Sequence, residues 1–136
     1  MPEDLTTSPR GIRRELFRYL TVGALNTVIG LATIYLAILL FRANDVVANV
    51  VGYSFGLACS YALNRRWTFA SDGAVAPQLL KFLLVMLVAY LANLGTVLGL
   101  TRYFAVNRYL AQSVGALPYT IIGYLGSRLL AFRNVS

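Results

Sequence analysis

The sequence contains no histidine, one cysteine and one tryptophan, and only five of its 136 residues are acidic. These acids lie outside the long uncharged segments of the chain, at Glu3, Asp4, Glu15, Asp45 and Asp72. A pair of catalytic carboxylates, a Ser-His-Asp arrangement and a metal cluster cannot be assembled from this set. We therefore expect no enzymatic activity, no metal and no cofactor.

The scarcity of acids limits the kinds of transport that the protein can carry out, and the single cysteine limits its redox chemistry. Proton-coupled carriers usually keep an ionisable acid inside the membrane as a relay, and the uncharged segments contain none. This argues against a small proton-driven drug exporter and favours facilitated movement of any transported molecule. The single cysteine, Cys59, cannot form an internal disulfide and is interpreted as a small apolar packing residue.

Charge is scarce throughout the chain, with 12% charged and 58% hydrophobic residues, against about a quarter charged in soluble domains. Four segments of 23, 19, 20 and 19 residues carry no charge. A membrane-spanning helix needs about 20 apolar residues, and lipid forces the backbone of such segments into helices. The sequence therefore predicts an all-α membrane protein, with a mobile cytoplasmic arm over 1–15 and a transmembrane domain over 16–133. The four predicted transmembrane helices cover 19–41, 46–64, 82–104 and 109–130.

The basic residues divide unevenly between the two sides of this layout. Nine flank one side: Arg10, Arg13, Arg14, Arg18, Arg65, Arg66, Lys81, Arg128 and Arg133. Only Arg42, Arg102 and Arg108 flank the other. An excess of Lys and Arg marks cytoplasmic segments, so we predict that both termini are cytoplasmic and that the basic side faces anionic lipid head groups. Because the basic residues lie at the ends of the predicted spans, the net charge of +7 does not indicate a nucleic-acid-binding protein.

The two halves of the chain align with one another at a shift of 63 residues without a gap. Apolar matches are common in membrane segments, but matching polar and glycine positions are harder to obtain by chance. The matches include Asn44 with Asn107, Gly52 with Gly115, Tyr61 with Tyr124 and Arg65 with Arg128. We predict an internal repeat of two helical hairpins that enter the membrane from the same side, which makes the repeat parallel.

Polar side chains within the predicted spans leave two interpretations open. Asn26 lies about two turns into the first span, beside Gly23 and Gly30. A buried amide is costly unless it is hydrogen-bonded, so Asn26 either links two helices or contacts a ligand in a polar cavity. The glycines themselves are mostly explained by close helix packing.

The second span ends in Asn64, Arg65, Arg66 and Trp67. One interpretation is interfacial anchoring, with tryptophan at head-group depth and arginine reaching the interface. The other is a phosphate clamp, because the planar guanidinium can bind phosphate oxygens bidentately. Arg128, the repeat equivalent of Arg65, would supply a second guanidinium to such a clamp.

Two stretches of the chain resemble the GtrA-like family of small four-helix membrane proteins. They are Arg18-Tyr-Leu-Thr-Val-Gly-Ala-Leu-Asn26-Thr and Tyr61-Ala-Leu-Asn64-Arg65-Arg66-Trp67-Thr68-Phe69. The resemblance extends over 16–133, although the second half has Ser127 and Leu130 where Asn64 and Trp67 would be repeated. It implies a role in cell-surface polysaccharide assembly at the cytoplasmic (inner) membrane. Members are proposed to flip a polyprenyl-phosphate sugar, such as one on undecaprenyl phosphate, for a separate glycosyltransferase.

The resemblance assigns roles to the polar residues of this sequence. Arg65 and Arg128, together with Arg66, would hold the lipid phosphate, while Asn26, Asn64, Tyr61 and Tyr124 would contact or gate the sugar. The alternative function is a non-transporting anchor that recruits a membrane glycosyltransferase through its basic face. Since four helices leave little room for a sealed pathway, a homodimer is one candidate assembly. The expected partners are the polyprenyl-phosphate sugar, the glycosyltransferase and membrane lipids.

Overall fold

The computed structural model describes residues 8–133, and all its regular elements are helical, with no strand in that range. The all-α prediction is therefore confirmed for this part of the chain. Two helical elements are short π-helical segments that continue the helices before them. In chain order the elements are α1 (Pro9–Phe41), α2 (Asp45–Leu63), π1 (Asn64–Thr68), α3 (Val75–Tyr103), α4 (Arg108–Gly126) and π2 (Ser127–Ala131).

Two helices begin well before the predicted spans. α1 starts at Pro9, and the Ser8 hydroxyl oxygen caps it by accepting a hydrogen bond from the Gly11 amide at 3.1 Å. Of the predicted arm over 1–15, residues 1–7 lie outside the described residues, and residues 9–15 form the first turns of α1. α3 likewise begins at Val75 rather than near residue 82. Arginine, lysine and glutamine are good helix formers, so these helices continue past the ends of the uncharged segments.

Three helical stretches in the described range are long and apolar enough to cross a membrane: Pro9–Phe41, Val46–Thr68 and Val75–Tyr103. The α4 helix is not among them, because Gln112, Pro118 and its tyrosines lower its mean hydropathy. The fourth membrane crossing, the cytoplasmic termini and the parallel orientation of the hairpins therefore stay predictions.

The chain divides into two compact units after Ala70. In unit 1, α1 packs against α2 and π1, and in unit 2, α3 packs against α4 and π2. Each unit is thus a helical hairpin with a short tip. At each tip an asparagine side chain caps the second helix: Asn44 Oδ1 accepts from the Val47 amide and Asn107 Oδ1 from the Tyr109 amide, both at 2.8 Å.

The internal structures of the two units repeat at the predicted shift of 63 residues. α2 and α4 begin and end at equivalent positions, and so do π1 and π2. Arg42 and Ala105, which are also equivalent, share a left-handed backbone with φ of 50°. The ring contact between Tyr19 and Phe69, with centroids 6.3 Å apart, has its counterpart between Phe82 and Phe132 at 5.8 Å. These correspondences confirm the internal repeat.

Glycines allow the two helices of each hairpin to approach closely. A Cβ atom on Gly52 would lie 3.1 Å from the backbone oxygen of Gly30, and one on Gly115 would lie 3.2 Å from that of Asn93. None of the eleven glycines, all of which lie within the described residues 8–133, has a positive φ. The left-handed positions of the described chain are instead occupied by Arg42, Ala70 and Ala105.

Candidate functional site

The end of the second helix in unit 1 is built around the buried side chain of Asn64, which is 2% exposed. Its amide nitrogen donates to Ser60 Oγ at 3.2 Å, and its Oδ1 accepts from the Thr68 hydroxyl at 2.9 Å. Its backbone oxygen accepts from the Phe69 amide at 2.9 Å, which closes the five-residue step of π1. π turns occur at the C-terminal ends of helices, and this one ends the second helix of unit 1.

Arg18 of α1 binds the outer end of π1. Its Nη1 donates to the backbone oxygen of Trp67 at 2.9 Å, and its guanidinium lies 5.4 Å from the centroid of the Trp67 ring. The last carbonyl groups of a helix have no partner within the helix, and a cation there also complements the helix dipole. Arg18 therefore satisfies a carbonyl group of π1 and fixes the indole through a cation–π contact.

The predicted site residues Tyr61, Asn64, Arg65 and Arg66 come together at this end of unit 1. Tyr61 is buried, Arg65 is half-buried and Arg66 is exposed. With Arg18 they form what we call the basic end of unit 1. It combines three guanidinium groups with an exposed aromatic ring, the arrangement expected for an anionic group at a membrane surface.

The corresponding end of unit 2 keeps the π turn but not its polar network. The Phe132 amide donates to the backbone oxygen of Ser127 at 2.8 Å, as Phe69 does to Asn64. The Ser127 hydroxyl is completely buried and has no hydrogen-bond partner among the described residues. Arg128 Nη1 donates to the Tyr124 hydroxyl oxygen at 3.2 Å, so these two predicted site residues are in direct contact. Arg128 is half-buried, and this hydrogen bond orients its guanidinium.

Asn26 lies away from the basic end of unit 1. It follows Arg18 by eight residues in α1, a distance of about 12 Å along the helix axis. Its Oδ1 is buried against Gly56 of α2 and accepts no hydrogen bond within the described residues. Of the two interpretations of Asn26, the hydrogen bond that would link two helices is thus not seen at this oxygen. A ligand hydroxyl could reach Oδ1 only after α1 and α2 separate locally.

Sequence reasoning did not place Arg18 in the site. Two signals were available, since Arg18 immediately precedes the first uncharged segment and Trp67 follows the second after Arg65 and Arg66. Two antiparallel helices of a hairpin bring such positions to the same depth. The missed contact has no counterpart in unit 2, where Lys81 and Leu130 occupy the equivalent positions.

Comparisons with known proteins agree with this architecture. The family model described as "GtrA/DPMS, transmembrane domain" matches residues 18–132, which include both hairpins and both π segments. No curated protein and no solved structure matches the chain. The family consists of polysaccharide-related membrane proteins that are generally non-catalytic. The chain belongs to the GtrA/DPMS transmembrane-domain family of multi-pass membrane proteins.

Proposed function

We propose that the protein translocates a polyprenyl-phosphate-linked monosaccharide across the cytoplasmic membrane for cell-surface polysaccharide glycosylation. The observation that carries this proposal is the basic end of unit 1. There the half-buried Arg65 lies on π1, and Arg18 contacts both the backbone carbonyl and the indole ring of Trp67 at the end of that segment. A lipid phosphate requires a cation at head-group depth together with an apolar path for its chain.

Arg65 and Arg128, the proposed phosphate ligands of unit 1 and unit 2, each occupy the second position of the π segment of their own unit. A π turn places an additional residue in one helical turn and so changes the direction of the side chains that follow it. The buried network of Asn64 supports this geometry in unit 1. We propose that Arg65 in unit 1 and Arg128 in unit 2 each bind phosphate oxygens, and that the exposed Arg66 attracts the anion from the surface.

The sugar would be contacted by the polar groups next to these cations. Tyr61 and Tyr124 lie one helical turn before Arg65 and Arg128, on the same face of each helix. Because Tyr124 accepts a hydrogen bond from Arg128, movement of the arginine toward a phosphate would release a tyrosine hydroxyl for the sugar. Asn26 would take part later, when separation of α1 from α2 uncovers its Oδ1.

Transport into vesicles tests the proposal with matched variants. The purified protein is reconstituted, and transbilayer movement of a labelled polyprenyl-phosphate sugar is measured for Arg65→Ala, Arg65→Lys and Arg13→Ala. Losing a charge-assisted hydrogen bond of about 1.5–3 kcal/mol should weaken binding by about tenfold to a hundredfold in Arg65→Ala. Lysine should rescue only part of this loss, because it keeps the positive charge but lacks the planar guanidinium group that binds phosphate bidentately.

Arg13→Ala is the control, because Arg13 is an exposed cation on the same unit. The proposal requires that Arg13→Ala retain transport. Full transport by Arg65→Ala would leave Arg65 as an interfacial anchor and would refute the clamp. We expect Arg128→Ala to resemble Arg65→Ala, which makes it a second test of the same mechanism.

One observation favours the alternative function as a recruiter of a glycosyltransferase. α1 has 33 residues, a length of about 50 Å against a hydrocarbon thickness of about 30 Å. Its first turns carry the exposed Arg10, Arg13 and Arg14 in a regular helix, a suitable surface for an acidic partner. The test is a triple variant in which Arg10, Arg13 and Arg14 are all changed to glutamate. If this variant no longer recruits the glycosyltransferase, and vesicles that contain the wild-type protein show no flipping, recruitment replaces translocation as the function.

A further inference from the structure

Unit 2 contains a cleft near the tip of its hairpin, far from its π segment. The cleft has a volume of about 440 Å³ and lies between the end of α3 and the start of α4. Four apolar side chains line it, together with three polar ones that carry donors or acceptors. The apolar residues are Leu94, Val97, Leu98 and Val106, and the polar ones are Thr101, Arg108 and Gln112.

The position of the cleft along the helix axis relates it to transport, because the cleft lies one bilayer thickness from Arg128. Arg108 is the first residue of α4, and Arg128 follows it by twenty residues in a continuous helical segment. At 1.5 Å per residue the two arginines are about 30 Å apart along the axis, which is the thickness of the bilayer hydrocarbon. With α4 across the membrane as predicted, the cleft lies at the face opposite Arg128.

The lining of the cleft suits an amphipathic anion. Arg108 and Gln112 are exposed and offer N–H donors at its edge, while the leucines and valines offer an apolar wall. Arg108 also stands at the N-terminal end of α4, where the helix dipole adds positive potential. The Thr101 hydroxyl donates to the Val97 carbonyl at 2.8 Å, so its oxygen can accept a hydrogen bond from a sugar hydroxyl.

The internal repeat makes this chemistry specific to unit 2. The equivalents of Arg108 and Gln112 in unit 1 are Asp45 and Asn49, so the sequence exchanges a cation for an acid. The basic end shows the opposite asymmetry, because unit 1 has Arg18 and Trp67 where unit 2 has Lys81 and Leu130.

We infer that the cleft of unit 2 is a second binding position for the phosphate-linked sugar head of the polyprenyl lipid, occupied after the head has crossed the membrane. This inference rests on the proposed function and adds to it a site on the far membrane face. Arg108 binds the phosphate, Gln112 and Thr101 contact the sugar, and the apolar wall holds the first isoprene units. An ordinary anionic phospholipid is the competing occupant that the experiment must separate.

Photo-crosslinking in lipid nanodiscs tests the site directly. The probe is a polyprenyl monophosphate with a photoreactive group next to the phosphate, and adducts are mapped by peptide mass spectrometry. We expect adducts within 94–112 whose yield falls about tenfold or more in Arg108→Gln, since a charge-assisted hydrogen bond is lost. Arg108→Lys should retain an intermediate yield. Arg102→Gln is the matched control, because Arg102 is exposed near the same tip but does not line the cleft.

Each outcome decides the inference. Adducts that depend on Arg108, survive Arg102→Gln and resist an excess of phosphatidylglycerol support it. Equal losses in both variants, displacement by phosphatidylglycerol or an absence of adducts within 94–112 overturn it.

The same samples report on the proposed function separately, through adducts within 60–70 that depend on Arg65. Adducts there without adducts in the cleft refute only the second site. Cleft adducts without those at 60–70 refute the clamp instead.

Discussion

Arg18 contributes to the basic end of unit 1 through two contacts on one neighbour, the Trp67 carbonyl and the Trp67 ring. A cation–π contact at an exposed site contributes about 0.5–1 kcal/mol, and a hydrogen bond from a charged group about 1.5–3 kcal/mol. Trp67 is 41% exposed, so solvent competes with both contacts. Arg18 therefore orients the indole of π1 more than it stabilises the whole unit.

Trp67 is the only tryptophan, and its fluorescence reports this contact without interference. We predict that Arg18→Gln shifts the Trp67 emission to longer wavelength, because the indole loses its cation and becomes more hydrated. Lys81→Gln should leave the emission unchanged, since Lys81 is the equivalent of Arg18 in the unit without tryptophan. An unchanged emission in Arg18→Gln would contradict the contact.

Asn26 and Gly56 form a second pair whose coupling can be measured. A Cβ atom on Gly56 would lie 2.8 Å from Asn26 Oδ1, which is closer than a normal contact. We predict that Gly56→Ala destabilises the protein by about 1–3 kcal/mol through overpacking. The loss should be largely relieved in the Asn26→Ala background, and a double-mutant cycle of unfolding free energies measures this relief. Additive effects of the two substitutions would show that the residues do not contact.

At the scale of helices, the hairpins depend on glycines at equivalent positions. We predict that Gly52→Ala and Gly115→Ala each lower the free energy of unfolding by about 1–3 kcal/mol. In both, backbone oxygen of the facing helix lies too close to the added methyl group. Gly95→Ala is the control, because nothing lies within 4 Å of its Cβ position and alanine is the better helix former. Equal losses at Gly52 and Gly95 would refute packing as the role of Gly52.

The helix boundaries at the hairpin tips could be predicted from the sequence, including the beginnings of α2 and α4, whereas the beginnings of α1 and α3 could not. The first and third spans were expected to end at 41 and 104, and α1 and α3 end at Phe41 and Tyr103. Their beginnings at Pro9 and Val75 were missed because an uncharged segment indicates only the part of a helix that lies within the bilayer. The helix itself can extend beyond that part. Outside lipid, good helix formers such as Arg10 and Lys81 continue a helix at little cost.

The π segments show why part of the site could not be predicted. π1 carries the Asn64 network, but π2 forms with Ser127 and Ala131, which cannot make it. The side-chain hydrogen bonds are therefore not the common cause of the π turn. Both segments are followed by a phenylalanine packed on an aromatic ring of the facing helix. A tertiary contact of this kind has no local signature in the sequence.

At the scale of the whole molecule, the topology depends on whether the α4 helix crosses the membrane. We predict that it does, because α4 and π2 together span residues 108–131, long enough for the bilayer. Reporter fusions within 71–77 and after Ser136 should then be active only as cytoplasmic reporters, and fusions within 105–107 only as extracytoplasmic ones. Reporters at 105–107 and after Ser136 that indicate the same side would contradict four spans.

The left-handed residues at the hairpin tips have a consequence for protein engineering. An L-residue in this conformation costs about 1–2 kcal/mol, and glycine avoids that steric cost. Arg42 and Ala105 have it at the ends of the first helices of the hairpins, and Ala70 has it after π1. Gly52, Gly56 and Gly115 thus serve close helix contacts, while the turns are formed by strained residues other than glycine. Glycine at position 70 or 105 offers a route to a more heat-resistant protein that leaves the proposed binding residues unaltered.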